Sequence, residues 1–130
     1  MAKFRDVQRD VEELFAGETW TDQGIPAYPS NFQGGTYSTE FVRVEFLPGR
    51  PLTTYGSRGV QGQIIIQIYV KAGGGISRAA EIADILDSII QGQQLPRGTI
   101  TGTSSITFLG IDSLDNSLFR ADYSVGFRRY

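Results

Sequence analysis

GVQGQIIIQIYVKAGGGISRAAEIADILDSIIQ, residues 59–91, decides the fold of this chain. Taken in steps of two, Val60, Gly62, Ile64, Ile66, Ile68 and Val70 share one face of a strand, and Gln61, Gln63, Gln67, Tyr69 and Lys71 fall on the other. The spacing predicts one buried face and one wet face. Gly73, Gly74 and Gly75 then free the backbone for a turn, and Ser77 is placed to cap a helix whose Ala79, Ala83, Leu86 and Ile90 recur at helical spacing. A strand is thus delivered directly onto a packed helix.

Upstream, Phe4, Val7, Val11, Leu14 and Phe15 form an apolar stripe, which predicts a first helix over about residues 2–16 with Arg5, Asp6, Arg9, Asp10, Glu12 and Glu13 on its remaining surface. Gly17 is placed to end it. Residues 17–38 are rich in Gly, Pro, Ser, Thr and Asn and read as a long loop with a short edge strand near Ile25–Tyr28. Such a loop is commonly functional or ordered by a partner. Its Trp20 needs cover, from a neighbouring subunit or from the protein's own sheet.

From Glu40 alternation returns, with Val42, Val44 and Phe46 on one face, Arg43 and Glu45 on the other, and Pro48 and Gly49 as the stop. Residues 50–59, RPLTTYGSRG, read as a further strand or a projecting hairpin arm that carries Arg50, Leu52, Tyr55 and Arg58. After the helix, Gly92 and Pro96 enforce a break; Thr99–Leu109 then reads as a strand with Ile106 and Phe108 on one face. In the last strand Phe119, Ala121, Tyr123, Val125 and Phe127 face inward, and Arg120, Asp122, Ser124 and Arg128 face out. The order α-β-β-β-α-β-β predicts an α+β domain over residues 1–130, a mainly antiparallel or mixed sheet with two helices packed on one face.

Composition narrows function by exclusion. The 130 residues hold no cysteine and no histidine, which removes thiolate nucleophiles, disulfides, the usual zinc ligands and imidazole bases. With 14 acidic and 12 basic side chains, the net charge of -2 argues against tight nucleic-acid binding. No run of about 20 apolar residues occurs, and the charge-interleaved start is unlike a signal peptide, so a soluble, unprocessed, cytosolic-type chain without membrane contact is expected.

The sharper motif readings fail on spacing. Gly73–Gly75 lacks the phosphate-loop pattern, and Lys71 precedes the glycines. Asp112 and Asp115 fall short of a calcium loop. Glu40 and Glu45 point to opposite faces of one strand. Arg43, Arg50 and Arg58 read as partners for carboxylates ahead of a nucleic-acid groove, and Phe46, Tyr69 and Tyr123 as packing groups. No enzyme, cofactor or metal site is expected.

Three segments carry a resemblance: FVRVEFLPG at 41–49, RGVQGQIIIQIYVKAGGGISRAAEIADILDSII at 58–90, and LFRADYSVGFRRY at 118–130. Their order resembles the small tail terminator or tail completion proteins of tailed bacteriophages, the minor tail protein U type among them. The resemblance covers residues 25–130 and the place of the first helix; the loops 17–38 and 110–117 have no counterpart in it. It implies a non-enzymatic virion protein that forms a homo-oligomeric ring, a hexamer, between the tail tube protein and the head-tail connector or neck protein, through which genomic DNA passes without specific binding. Within such a ring, Arg50, Leu52, Tyr55 and Arg58 are the expected contacts with a neighbouring subunit or the tube. Arg128, Arg129 and Tyr130 are expected at a ring face or the lumen.

Overall fold

A computed structural model describes residues 3–29, 40–52, 59–73, 75–111 and 118–129. Helix α1 (Lys3–Leu14) and a one-turn helix α2 (Glu18–Thr21) precede strands β1 (Ala27–Pro29), β2 (Phe41–Leu52) and β3 (Gly59–Lys71). Helix α3 (Gly75–Ile90) and strands β4 (Ile100–Ile111) and β5 (Leu118–Arg129) complete the described chain. The strands lie side by side in the order β1-β2-β3-β5-β4. All described pairings are antiparallel except β1 with β2, which is parallel. The fold is therefore α+β with a mixed sheet, as the periodicities predict.

The core lies between the sheet and the helices. Val60, Ile64, Ile66, Ile68 and Val70 of β3 meet Phe119, Ala121, Tyr123, Val125 and Phe127 of β5, while Val7 and Val11 of α1 and Ala79, Ile82, Ala83, Leu86 and Ile90 of α3 pack onto them. Burial of each large aliphatic side chain contributes about 1.5–3 kcal/mol, so this ladder is the main source of stability.

Four sequence expectations change. Ser77 is the third residue of α3 and not its cap, because the helix already begins at Gly75. Within the stretch 17–38, residues 17–29 are described and include a helical turn that the composition did not suggest: α2 carries Trp20 into the core, where its ring meets Phe15 edge-on at 5.1 Å, so the cover is the protein's own. Strand β2 does not stop at Pro48 but runs to Leu52, with a register irregularity between Pro48 and Pro51 that absorbs two residues lacking amide donors. The second face of β3 is not wholly wet. Near the start of β2, Phe41 stacks on Tyr69 at 4.6 Å and Leu118 joins them, so Tyr69 is buried, and Gln67 is buried while accepting a hydrogen bond from its hydroxyl at 3.1 Å.

Glycine conformation matters at two points. Gly92 has φ 65°, the left-handed region that ends α3, as the break predicted there requires. Gly110 has φ 93° beside a register shift in β4, the backbone of a bulge.

Candidate assembly surfaces

Among the described residues, no group of three or more acidic side chains is placed to hold a metal ion, and no helix is long and apolar enough to cross a membrane.

At the end of the sheet where α1 lies, a set of charges ties the chain to itself. The Asp10 carboxylate is 1% exposed and accepts hydrogen bonds from the backbone amides of Arg97 at 3.0 Å and Thr99 at 3.3 Å. Arg97 also bonds Glu13 at 2.8 Å, and that bond holds the Glu13 carboxyl below its ordinary pKa. Arg129 donates to the Arg97 carbonyl at 3.0 Å and to Asp6 at 2.9 Å. The turn that launches β4 is therefore clamped by α1 from one side and by the end of β5 from the other.

Asp10 was expected on the helix surface. Its position carries the missed signal: Val7, Asp10, Val11 and Leu14 follow i, i+3, i+4, i+7, so Asp10 sits within the apolar stripe. A carboxylate there has to be met by donors from another element.

A second polar group sits between α3 and the sheet. Asp87 accepts from the Tyr123 hydroxyl at 2.8 Å and from the Ser104 hydroxyl. Burial, with the Asp87 carboxylate adding to it, pushes the Tyr123 phenol well above its ordinary value of 10.0. Nearby the Thr101 hydroxyl donates to the Ile90 carbonyl, so β4 is fastened to α3 along its inner side. Arg78 forks onto Glu40, with Nη2–Oε1 at 3.2 Å, and bonds Glu81 at 2.9 Å, which places Glu40 in an ion pair.

The residues expected at an interface are placed as follows. Arg50 and Leu52 lie in the last residues of β2, and Leu52 pairs with Gly59 across the root of the hairpin. Tyr55, Arg58 and Tyr130 lie outside the described residues, as do Asp112 and Asp115. Arg128 is exposed on β5, whereas Arg129 turns inward to Asp6 and Arg97. Arg43 lies over the Tyr69 ring at 5.9 Å and Arg120 does the same at 5.9 Å. These guanidinium groups pack on an aromatic of their own sheet.

Two surface features remain. An open trough of about 480 Å³ crosses the outer face of the sheet, lined by Gln61, Gly62, Gln63, Gly102, Gly126 and Arg128 among others. The outer edge of β4 is covered at its start, where Gly92 donates to the Gly102 carbonyl at 3.3 Å and Thr101 to the Gln93 carbonyl at 2.9 Å; beyond Gly102 no strand pairs with it among the described residues, and Phe108, Leu109 and Ile111 are 40%, 51% and 54% exposed along it.

Comparison with known proteins adds one finding. A chain in the structure of the virion of a native gene transfer agent particle matches with a TM-score of 0.66 at 15% identity, covering 92% of this chain and 90% of that chain. The two share a fold. A second solved protein, whose name states no function, matches with a TM-score of 0.69 at 14% identity over 100% of this chain and 97% of its own. No family model matches the chain, and no curated protein matches it in sequence.

Proposed function

We propose that this chain is a structural, non-enzymatic protein of a phage-like virion, and that within the particle it acts as a tail terminator. Copies form a closed homo-oligomeric ring, a hexamer, at the end of the tail tube. One face of the ring matches the last tube ring; the other offers a site for the head-tail connector and none for a further tube subunit. Growth then stops by shape alone.

The observation that carries the reading is the likeness of fold to a chain of the gene transfer agent virion over nearly the whole of both chains. The order of the three motif segments that resemble tail terminators supports it further. Leu52 of β2 pairs with Gly59 of β3, so the connection between them leaves one end of the sheet; the contact with a neighbour is assigned to this arm, with Arg50, Leu52, Tyr55 and Arg58. Arg128 and Tyr130 are assigned to a ring face or the lumen. A ring subunit needs two unlike surfaces, and a lumen that passes DNA needs no grip on it, in keeping with the net charge of -2.

The test is tube polymerisation. Added to the tube protein of the same particle, the chain is expected to halt elongation at amounts far below one per tube subunit and to be found at one tube end. Unchanged elongation with no chain at the ends would refute the terminator role. Self-polymerisation into tubes would make it a tube-like subunit, and binding to the connector alone a head-completion protein. A steeply salt-dependent affinity for DNA would instead favour a nucleic-acid module.

A further inference from the structure

Strand β4 forms one edge of the sheet, and its twelve residues, ITGTSSITFLGI, contain no charged side chain and no proline. Edge strands of monomeric proteins are ordinarily blunted by charge, proline or a covering element. In the same sheet β2 carries Arg43 and Glu45, β3 ends in Lys71, and β5 carries Arg120, Asp122, Arg128 and Arg129. Among the four long strands β4 alone is neutral; the segment 92–94 covers its edge up to Gly102, and beyond that it exposes Phe108, Leu109 and Ile111.

We infer that a second copy of this chain pairs with this edge, β4 against β4 in antiparallel fashion about a two-fold axis at Ile106. The register follows from three features. In a two-fold antiparallel pair one residue faces its own copy, since otherwise inner-face and outer-face side chains would be set against each other. Pairing of β4 with β5 is regular from Ser104 to Phe108 and shifts on both sides, between Thr101 and Ser104 and between Phe108 and Gly110, so Ile106 is the centre of the regular segment. With Ile106 on the axis, Ser104 opposes Phe108 of the second copy and Ser105 opposes Thr107, a small side chain beside a larger one each time.

The same operation carries the exposed Leu109 of one copy to Thr103 of the other, at the trough that Gly102, Thr103 and Gly126 leave open. Neither Gly102 nor Gly126 has a positive φ, and a Cβ at either would meet only a backbone oxygen, at 3.8 and 4.0 Å. Backbone geometry does not demand these glycines; room for a neighbour's side chain does. The neutrality of the strand fits this occupant in particular, because a two-fold axis sets each charge close to its own like-charged copy.

Gly92 and Gln93 already bond Gly102 and Thr101, so this register pairs the free residues 103–109, which span roughly 23 Å; a strip about 10 Å wide covers roughly 230 Å² on each copy. That is below the size of a stable specific interface, so the pair is weak and dissociates at roughly high-micromolar to millimolar concentration. Being isologous, it is distinct from the unlike surfaces that close a ring, and it does not rest on the terminator reading.

The chain has no cysteine, which makes the register directly testable. Opposed residues of an antiparallel pair have Cα atoms about 4.5–5.5 Å apart, within the span of a disulfide. Under mild oxidation, Ile106→Cys is expected to link into dimers many times faster than Ser105→Cys or Thr107→Cys, which stand two residues away from their own copies. In sedimentation velocity from about 10 μM to 2 mM, the native chain should shift from monomer to dimer, and Thr107→Lys, set beside Asp122, should weaken that dimer at least tenfold with an unchanged melting curve. A native chain that remains monomeric throughout, equal linking at all three positions, or association indifferent to Thr107→Lys would overturn the pair. In the last case a ring that still caps tubes would leave the virion reading standing, whereas an intact β4 pair without capping would sink only that reading.

Discussion

Replacing Asp10 by alanine tests whether the buried carboxylate organises the α1 end of the sheet. It removes the acceptor of two backbone donors, the amides of Arg97 and Thr99, the latter in a residue 0% exposed. A hydrogen bond to a charged group contributes about 1.5–3 kcal/mol, and a buried donor left without a partner costs about 1–3 kcal/mol. Water reaching the Arg97 amide offsets part of this, so the expected loss is about 3–4 kcal/mol. For a domain of this size that lowers the melting temperature by roughly 10–20 °C. Asp10→Asn keeps one acceptor oxygen and should lose about half as much.

The assay is urea unfolding at neutral pH, with hydrogen exchange of the Thr99 amide followed in the native state. Loss of stability with an unchanged denaturant slope, together with faster exchange at Thr99 than in β3, is the expected outcome. An Asp10→Ala variant within about 1 kcal/mol of the native chain would refute the reasoning, since it would mean that water satisfies both amides.

Trp20→Ala should destabilise by about 3–5 kcal/mol in a dilute monomer, because its cover belongs to the same chain. A small loss in the monomer and a large one in an assembly would contradict that placement. Tyr123 yields a pH prediction. Its folded pKa stands above the ordinary 10.0, so its contribution is complete below pH 10 and is lost as the pH climbs towards the folded value. Tyr123→Phe should lose about 1 kcal/mol at neutral pH with the Asp87 bond and show a flatter decline of stability above pH 10; an equally steep decline would contradict it. Opening the hairpin contact with Arg58→Glu and Tyr55→Ala together should leave the melting temperature within a few degrees and abolish capping of tubes; retained capping would remove the arm from the interface.

Periodicity made most of the fold legible. The alternation of β3 and β5 and the 3.6-residue spacing of α3 each bury one side against a common core, so a one-residue slip of β3 would move Ile64, Ile66 and Ile68 to the opposite face. What periodicity could not supply were the contacts made across the chain. Asp10 reads as a surface charge until the turn at 96–99 is brought to it, and Trp20 reads as a loop aromatic until α2 and Phe15 close over it. The burial of Tyr69 depends on Phe41 and Leu118, distant in sequence and joined only by strand order. As for the surfaces, the connection between β2 and β3 was visible as a break between two alternating runs. The neutral edge of β4 emerges only once the order β3-β5-β4 shows that the strand has one neighbouring strand and, beyond Gly102, no other pairing among the described residues.

Imaging the assembled particle at subunit resolution tests the central claim most directly. The account predicts a single closed ring of this chain at the head-proximal end of the tail tube, with residues 50–59 of each subunit against its neighbour or the last tube ring. Particles that lack the chain, or that carry it along the length of the tube, would contradict it.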